Sequence, residues 1–332
     1  VASNGNSEIT FNVAPRTKAL SQTQTDFDHN NVFVSYAYYL GHGKTWAANN
    51  SEAQMYIDGS TISYNGNLWK NETTSYYWPK DGGSLTFFAY SYNKKDMTVG
   101  DNSGFACVWA LGEDGQYQGG ITGHFDVATN KNVDFLVADI AADKTENENS
   151  YAHTGVPTLF RHKLSMVNVA ANLAEDYANK KFILNSVKFT NLCHYATYSQ
   201  IPEKMIPGGN MFLSDQVYAE NVGFEVKSGG LIAVPAEIKK GAGVEDGQYI
   251  YIPQEFNDDS YIVITYTVET VVGNKVVKEE CTKPVKVKDV FPKWEMGHRY
   301  TFNLTFSLNE IHWDPAVENW IDDEAGNITI DR

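Results

Sequence analysis

The chain has 332 residues, 42% of them hydrophobic and 13% aromatic, which is enough apolar material for two packed domains. Its formal net charge of -15, with no basic stripe, argues against nucleic acid as a partner, because phosphate binding needs clustered Lys and Arg. Three widely spaced cysteines do not form a disulfide framework, and no apolar run approaches the ~20 residues that span a bilayer.

The first predicted element is a short strand close to the N-terminus. Ile9, Phe11 and Val13 alternate with polar residues, so one face of this strand is apolar. Pro15 then interrupts strand pairing, and Arg16 follows in a predicted exposed loop, where a trypsin-like protease would cut. The pattern leaves two interpretations open: an ordinary edge strand, or a strand that can be removed from its domain.

Alternation of apolar and polar residues with a period of two continues through most of the chain. In chain order it predicts strands at residues 32–40, 85–92, 133–140, 159–169, 182–189, 231–234, 249–252, 262–268 and 300–308. Gly273 and Asn274 separate two β-rich runs and predict a hairpin. Residues 169–180 fit either a short helix or a strand followed by a loop. The sequence therefore predicts an all-β protein.

A polar run at residues 141–150 is typical of a solvated linker, and an apolar run begins a few residues later. We therefore predict an N-terminal β-sandwich over residues 1–155 and a C-terminal β-sandwich over residues 156–332. Near the end of the chain, Ile328 and Ile330 alternate with polar residues beyond a mostly polar stretch. That segment is either an ordinary terminal edge strand or a strand that is not committed to its own domain.

No pattern of residues predicts catalysis or a bound metal. Gly43-Lys44-Thr45 lacks the first glycine of a phosphate-binding loop, and the eight histidines show no metal-binding spacing. Adjacent acids such as Asp258-Asp259 fit solvated turns, whereas a glycosidase holds two carboxylates across a cleft. We predict a protein that is not an enzyme and has neither a cofactor nor a metal site, with a glycosidase as a less favoured alternative.

Four aromatic residues form a candidate surface for stacking on sugars. They are Trp69, Tyr76, Tyr77 and Trp78. A cluster of this kind also serves as an anchor that holds a strand or a loop to its domain. With exposed rings, the cluster would indicate a surface glycan-binding lipoprotein or adhesin, with host or bacterial glycans or proteins as partners.

Several short motifs follow one another in a fixed order over nearly the whole chain. The first is Ile9-Thr10-Phe11, which leads into Arg16-Thr17-Lys18-Ala19, and the second is Tyr77-Trp78-Pro79, followed by Leu85-Thr86-Phe87-Phe88-Ala89-Tyr90. The third is Asp134-Phe135-Leu136-Val137-Ala138, followed by Leu159-Phe160-Arg161-His162-Lys163-Leu164-Ser165. The last is Gly297-His298-Arg299-Tyr300-Thr301-Phe302-Asn303-Leu304, followed by Val317-Glu318-Asn319-Trp320 and Ile328-Thr329-Ile330. In these motifs the chain resembles the fimbrillin family of Bacteroidetes, the subunits of type V pili.

The resemblance implies two tandem transthyretin-like β-sandwich domains and export as a lipoprotein precursor to the outer membrane and cell surface. It implies a structural subunit of a fimbria, in the stalk, anchor or tip. Its implied partners are other pilin subunits and an Arg-specific, trypsin-like processing protease. Assembly would proceed by strand exchange, in which main-chain hydrogen bonds give affinity and alternate side chains give specificity.

The same resemblance assigns roles to individual residues of this sequence. These are Ile9, Phe11 and Val13 in the strand to be displaced, Arg16 at the cleavage site, and Ile328 and Ile330 in the donor strand that enters a neighbouring subunit. The first strand would then fill a groove of its own domain until the protease releases it.

Overall fold

The computed structural model describes residues 8–15, 27–100, 103–146, 155–208, 212–217, 236–241, 249–308 and 311–319. Most of these residues lie in β-strands, so the all-β prediction is confirmed. Within the described residues, helical structure is limited to short turns, which include α1 (Trp46–Asn49), α2 (Val287–Val290) and a 3-10 turn at Asn50–Glu52.

The strands are numbered in chain order. The first twelve are β1 (Phe11–Pro15), β2 (Phe33–Leu40), β3 (Gln54–Tyr64), β4 (Trp69–Asn71), β5 (Ser84–Ser91), β6 (Gly104–Leu111), β7 (Tyr117–Asp126), β8 (Leu136–Ala138), β9 (Ala141–Lys144), β10 (Val156–His162), β11 (Ser165–Leu173) and β12 (Lys180–Cys193). The others are β13 (Tyr195–Ile201), β14 (Lys204–Pro207), β15 (Phe212–Val217), β16 (Ala236–Ile238), β17 (Tyr249–Tyr251), β18 (Gln254–Glu255), β19 (Tyr261–Val272), β20 (Lys275–Lys286), β21 (Lys293–Trp294), β22 (His298–Phe306) and β23 (Ile311–Asn319).

Contacts divide the chain into two compact units. The first comprises Val1–Lys163 and Ala196–Ile206, and the second comprises Leu164–Tyr195 and Pro207–Arg332. The chain therefore enters the second unit, returns to the first for most of β13 and β14, and leaves it again. The domain boundary predicted between residues 155 and 156 stays a prediction; β10, which follows it, pairs with β1 and β8 of the first unit.

Seven strands of the first unit close into a ring. Their hydrogen-bonded order is β2-β3-β4-β1-β10-β8-β5, and β5 pairs back onto β2. Alternate side chains point into the ring and form one apolar core. Its buried members include Ile9, Phe11, Phe33, Ile62, Trp69, Trp78, Leu85, Phe87, Val156 and Phe160. The ring therefore encloses a packed interior in which β1 takes part.

A second sheet of the first unit has the order β14-β13-β7-β6. It packs against side chains that β5 directs away from the ring interior, because the rings of Phe88 and Trp109 lie 6.2 Å apart and those of Tyr90 and Phe105 lie 5.7 Å apart. All eight residues of β5 are consequently buried. A strand covered on both faces in this way carries apolar residues on both of them, as the consecutive residues Phe87–Tyr90 do here.

The second unit consists mainly of two facing sheets. One has the order β17-β11-β22-β23; the other has the order β15-β12-β19-β20, with β16 also on β12. Strands β11 and β22 run parallel, from the pair Met166–Arg299 to the pair Leu173–Phe306. Residues of both sheets share one core, in which Phe189 of β12 lies edge to face with Phe302 of β22, with 5.3 Å between the ring centroids.

Most of the predicted strands that fall on described residues are present, with one instructive difference. The strand predicted at 300–308 is β22, and the predicted hairpin is β19–β20. Residues 159–169 are not one strand, because β10 and β11 are separate and belong to different units. In residues 169–180 the strand alternative is correct, since β11 continues to Leu173. The strand predicted at 231–234 lies outside the described residues.

We expect Cys281 to react with a maleimide faster than Cys107 and Cys193. All three thiols are free, but Cys107 and Cys193 are buried whereas Cys281 is partly exposed. Reaction needs an accessible thiolate, and burial raises the pKa of Cys107 to about 12. Brief labelling followed by peptide mass spectrometry should find the label on Cys281, and on the other two only in denaturant. Rapid labelling of native Cys107 would contradict its burial.

Candidate functional site: the groove filled by the first strand

The first strand, β1, lies between β4 and β10 and completes the ring of the first unit. It runs parallel to β10, from the pair Phe11–Val156 to the pair Pro15–Phe160. On its other side it pairs with β4 in the antiparallel sense at Phe11 and Trp69. Without β1, the edges of β4 and β10 would face each other across an open groove. We call this the first-strand groove.

Side chains of the first strand, and of Ile9 just before it, fill the interior of the ring in an alternating pattern. Ile9 and Phe11 are each only 3% exposed. The ring of Phe11 makes edge-to-face contacts with Phe33 at 5.5 Å and with Phe87 at 5.7 Å, measured between centroids. Val13 is half-buried and packs against the same core, whereas Asn12 is exposed. The strand therefore presents one apolar face to the groove.

The main chain of the strand is held from both sides of the groove. The amide of Ile9 donates to the carbonyl oxygen of Tyr76 at 2.8 Å, and the amide of Val156 donates to the carbonyl oxygen of Thr10 at 2.7 Å. Glu8 and Tyr77 form an isolated β-bridge just before the strand. Since these are backbone contacts, another extended segment with a suitable apolar face can make the same hydrogen bonds.

Gly155 allows the backbone of the first strand to approach β10 closely. A Cβ atom placed on Gly155 would lie 2.6 Å from the carbonyl carbon of Phe11 and 2.9 Å from the amide nitrogen of Asn12. The residue also has a φ of +140°, which side chains rarely adopt. Glycine at this position is therefore a requirement of the groove. Sequence reasoning did not find it, because only the paired backbone shows the close approach.

A polar anchor holds the beginning of the strand. The ammonium group of Lys70 lies 3.2 Å from the Glu8 carboxylate, to which the Ser75 hydroxyl donates at 2.7 Å. The Ser75 hydrogen bond lowers the pKa of Glu8 most strongly; burial opposes it, and the interaction with Lys70 adds to the lowering, so the pKa lies below its ordinary value of 4.5. The charged carboxylate is thus the form that the folded protein favours.

We expect Glu8→Gln to destabilise the first unit slightly at neutral pH. Because the folded pKa lies below 4.5, the stabilisation by Glu8 is complete well above pH 4.5 and is lost as the pH falls through the folded pKa. The pair is partly exposed, so the loss at pH 7 should be about 1 kcal/mol or less. Urea unfolding of both proteins at pH 7 and at pH 3 measures it, with exposed Glu113→Gln as the control. An equal difference at both pH values would contradict the role of the charge.

The remaining predicted residues of the exchange mechanism cannot be placed in the fold. Arg16, Ile328 and Ile330 lie outside the described residues. Their roles at the cleavage site and in the donor strand therefore stay predictions. The structure does give the position of the preceding residue: Pro15 is the last residue of β1 and is still in register with Phe160, so it ends the strand and does not interrupt its pairing earlier, as predicted.

Two of the four predicted sugar-stacking residues lie inside the first unit. Trp69 is 5% exposed and Trp78 is 2% exposed, and both belong to the core of the ring. Tyr76 is partly buried against that core, and Tyr77 is 41% exposed. Stacking on a sugar requires an accessible ring face, which among these four residues Tyr77 offers best. The glycan contact as a whole stays a prediction.

The described part of the chain holds neither a metal-binding cluster nor a helix that could span a membrane. There, no three side chains of His, Cys, Asp or Glu gather closely enough to bind a metal ion. None of the helices in these segments combines the length and the apolar character needed to cross a bilayer.

By fold, the protein is an all-β chain with two compact units, one of which is completed by its N-terminal strand. By sequence, it matches the model of the fimbrillin-like family over residues 17–320. The match covers most of the chain, so the protein belongs to the fimbrillin-like family, as its motifs predicted. Among curated proteins, none matches the sequence significantly.

Solved structures with the same fold include two from Bacteroides. A fimbrial protein from Bacteroides vulgatus aligns with a TM-score of 0.65 and 19% identity, covering 94% of this chain and 99% of that one. A candidate cell adhesion protein from Bacteroides uniformis aligns with a TM-score of 0.51 and 14% identity, covering 96% of this chain and all (100%) of that one. At such low identities, the similarity establishes the fold.

Proposed function

We propose that this protein is a subunit of a cell-surface fimbria, in its stalk, anchor or tip, and that it assembles by exchange of its first strand. Membership in the fimbrillin-like family supports the fimbrial role. The observation that carries the exchange mechanism is the position of β1. Among the described strands it alone joins β4 to β10, and Arg16 follows it directly in the sequence.

Cleavage after Arg16 by an Arg-specific protease would separate the first strand from the rest of its unit. Hydrolysis of the Arg16–Thr17 peptide bond would leave the described residues 8–15 held in the groove by noncovalent interactions such as the hydrogen bonds, apolar contacts and ion pair given above. These interactions are reversible, so a competing strand can replace the fragment. In the uncut chain the covalent link keeps the effective concentration of the strand high.

The segment that we propose as the donor strand repeats the pattern of the strand it would replace. Ile328-Thr329-Ile330 matches Ile9-Thr10-Phe11 in two residues and keeps an apolar residue at the third. In an extended segment, residues two apart lie on the same face, so both isoleucines would enter the first-strand groove together. We also propose export as an outer-membrane lipoprotein precursor and a transthyretin-like topology for the two units, as the family resemblance implies.

Digestion with an Arg-specific protease tests the mechanism. We expect a new N-terminus at Thr17, followed by polymers in size-exclusion chromatography and electron microscopy. A synthetic peptide of residues 5–16 should inhibit this polymerisation by occupying the groove. Arg16→Lys is the matched control, because it keeps the charge but removes the cleavage site. Arg161 is protected, since it lies in β10 and its guanidinium donates to Asp139 at 2.7 and 2.9 Å.

Either of two results would contradict the mechanism. One is cleavage only at positions well away from Arg16 with no gain in polymerisation. The other is polymerisation that proceeds equally well in the uncut Arg16→Lys variant. Glycan binding, the alternative function, has less support, because Trp69 and Trp78 are core residues of the ring.

A further inference from the structure

The hairpin of β19 and β20 extends beyond the sheet to which it belongs. The pairing of β12 with β19 ends at Lys180 and Thr270, and the amide of Val271 makes one further hydrogen bond, of 2.8 Å, to the carbonyl oxygen of Asn179. Strands β19 and β20 continue to pair with each other as far as Val272 and Lys275. We call residues 271–277 the hairpin tip.

The hairpin tip exposes apolar side chains on both of its faces. Its four valines, at positions 271, 272, 276 and 277, are 48%, 61%, 55% and 54% exposed, respectively. Val271 pairs with Val276 on one face, and Val277, which pairs with Thr270, lies on the other face together with Val272. A contiguous patch of exposed apolar side chains marks an interaction site, because contact between apolar surface and water is unfavourable. A flat protein surface would cover only one of the two faces, whereas a fluid medium covers both.

The charges nearest to the hairpin tip are mostly basic. Lys275 lies in the tip itself, Lys180 donates to the hydroxyl of Thr270 at 2.8 Å, and Lys278 is paired with Glu269 at 2.7 Å. Lys181 shares the row of Glu269 and Lys278, so four lysines face one carboxylate in these rows, although the whole chain carries a net charge of -15. This local excess of positive charge complements an anionic surface.

Acidic residues of the same hairpin lie further from the tip. Glu279 and Glu280 follow Lys278 along β20, and each residue of a strand adds about 3.4 Å. At the ionic strength of body fluids, charges are screened over about 8 Å. The lysines lie closer to an approaching anionic surface than these glutamates do. The attraction by the lysines is therefore stronger than the repulsion by the glutamates.

We propose that the hairpin tip inserts into the interfacial region of a bilayer that carries anionic lipids. The four valines would enter the boundary between head groups and acyl chains, and the lysines would contact the anionic head groups. The tip projects about 7–10 Å beyond the last paired row of the sheet. That length matches the depth of about 5–10 Å to which interfacial elements are buried.

Flotation of the full chain with lipid vesicles tests the proposal. We expect binding to vesicles of phosphatidylglycerol and phosphatidylcholine, weaker binding to phosphatidylcholine alone, and release by high salt. The double substitution Val272→Asp and Val277→Asp should reduce the partition coefficient by about tenfold or more, because it places charges at the interface. Lys275→Ser should weaken binding to anionic vesicles but not to neutral ones.

The matched control is Leu111→Asp, which changes an exposed apolar residue (62% exposed) at the end of β6 and should not affect flotation. Circular dichroism checks that each variant is folded, as expected for changes at exposed positions. Absence of binding to both kinds of vesicle would overturn the proposal. So would equal loss with Leu111→Asp, or self-association of the full chain that the valine substitutions abolish, since that result assigns the hairpin tip to a protein contact.

Discussion

Replacing Phe11 with alanine is expected to lower the free energy of unfolding of the first unit by about 3–5 kcal/mol, the usual cost of removing a buried phenylalanine ring. The ring of Phe11 is almost completely buried and contacts Phe33 and Phe87 edge to face. Its loss leaves a cavity at the point where β1 meets both β4 and β10. Urea or thermal unfolding of the full chain, followed by tryptophan fluorescence, measures the change, because Trp69 and Trp78 belong to the same core.

Asn12→Ala serves as the control for this substitution. Asn12 is exposed and lies in the same strand, so its removal should change the free energy of unfolding by about 0.5 kcal/mol or less. A loss below about 1 kcal/mol for Phe11→Ala would show that β1 is not an integral part of the core. Under the proposed mechanism, the same variant should also release its first strand more easily after cleavage at Arg16.

Gly155→Ala is expected to destabilise the first unit by about 2–5 kcal/mol, as the sum of a steric and a conformational cost. The new Cβ atom would lie 2.6 Å from a backbone carbon of Phe11, and backbone atoms cannot move away as a side chain can. The residue would also have to keep a φ of +140°. Hydrogen exchange by mass spectrometry should show faster exchange in residues 9–13, because β1 is the element that the methyl group displaces.

The substitution Gly66→Ala separates the steric cost of the added methyl group from its conformational cost. Gly66 has a φ of +95°, but a Cβ atom added to it would meet no heavy atom within 4 Å. Its substitution therefore reports conformational strain alone, about 1 kcal/mol. Equal losses for the two glycine variants would mean that β1 can shift to accept a methyl group, and that the groove is wider than its contacts indicate.

Side-chain periodicity explains which parts of the fold could be read from the sequence. The alternation of Ile9, Phe11 and Val13 identified a strand with one apolar face, and the structure places that face in the core. The run at 300–308 and the hairpin at Gly273-Asn274 were recognisable for the same local reason. In each case, the signal lies within a few neighbouring residues.

The parts of the fold that the sequence did not reveal depend on which strands pair with each other. Periodicity states which side chains of a strand are buried but not which strand lies beside it. Residues 159–169 therefore looked like one strand, although β10 and β11 pair within different units. For Trp69 and Trp78 the sequence left both a sugar-stacking surface and an internal anchor open, because an aromatic cluster has the same sequence whether its rings face solvent or a core. The closure of the ring through β1 likewise depends on contacts between distant segments.

Closure of the ring also bears on how the protein must be handled. A chain that starts after residue 16 would expose the inner edges of β4 and β10, and unpaired strand edges recruit other extended chains, including unfolded ones. We therefore expect such a truncated form to precipitate or to copurify with chaperones when produced in a heterologous host. The first strand would then act as a solubility element, and recombinant preparations should retain it until assembly is wanted.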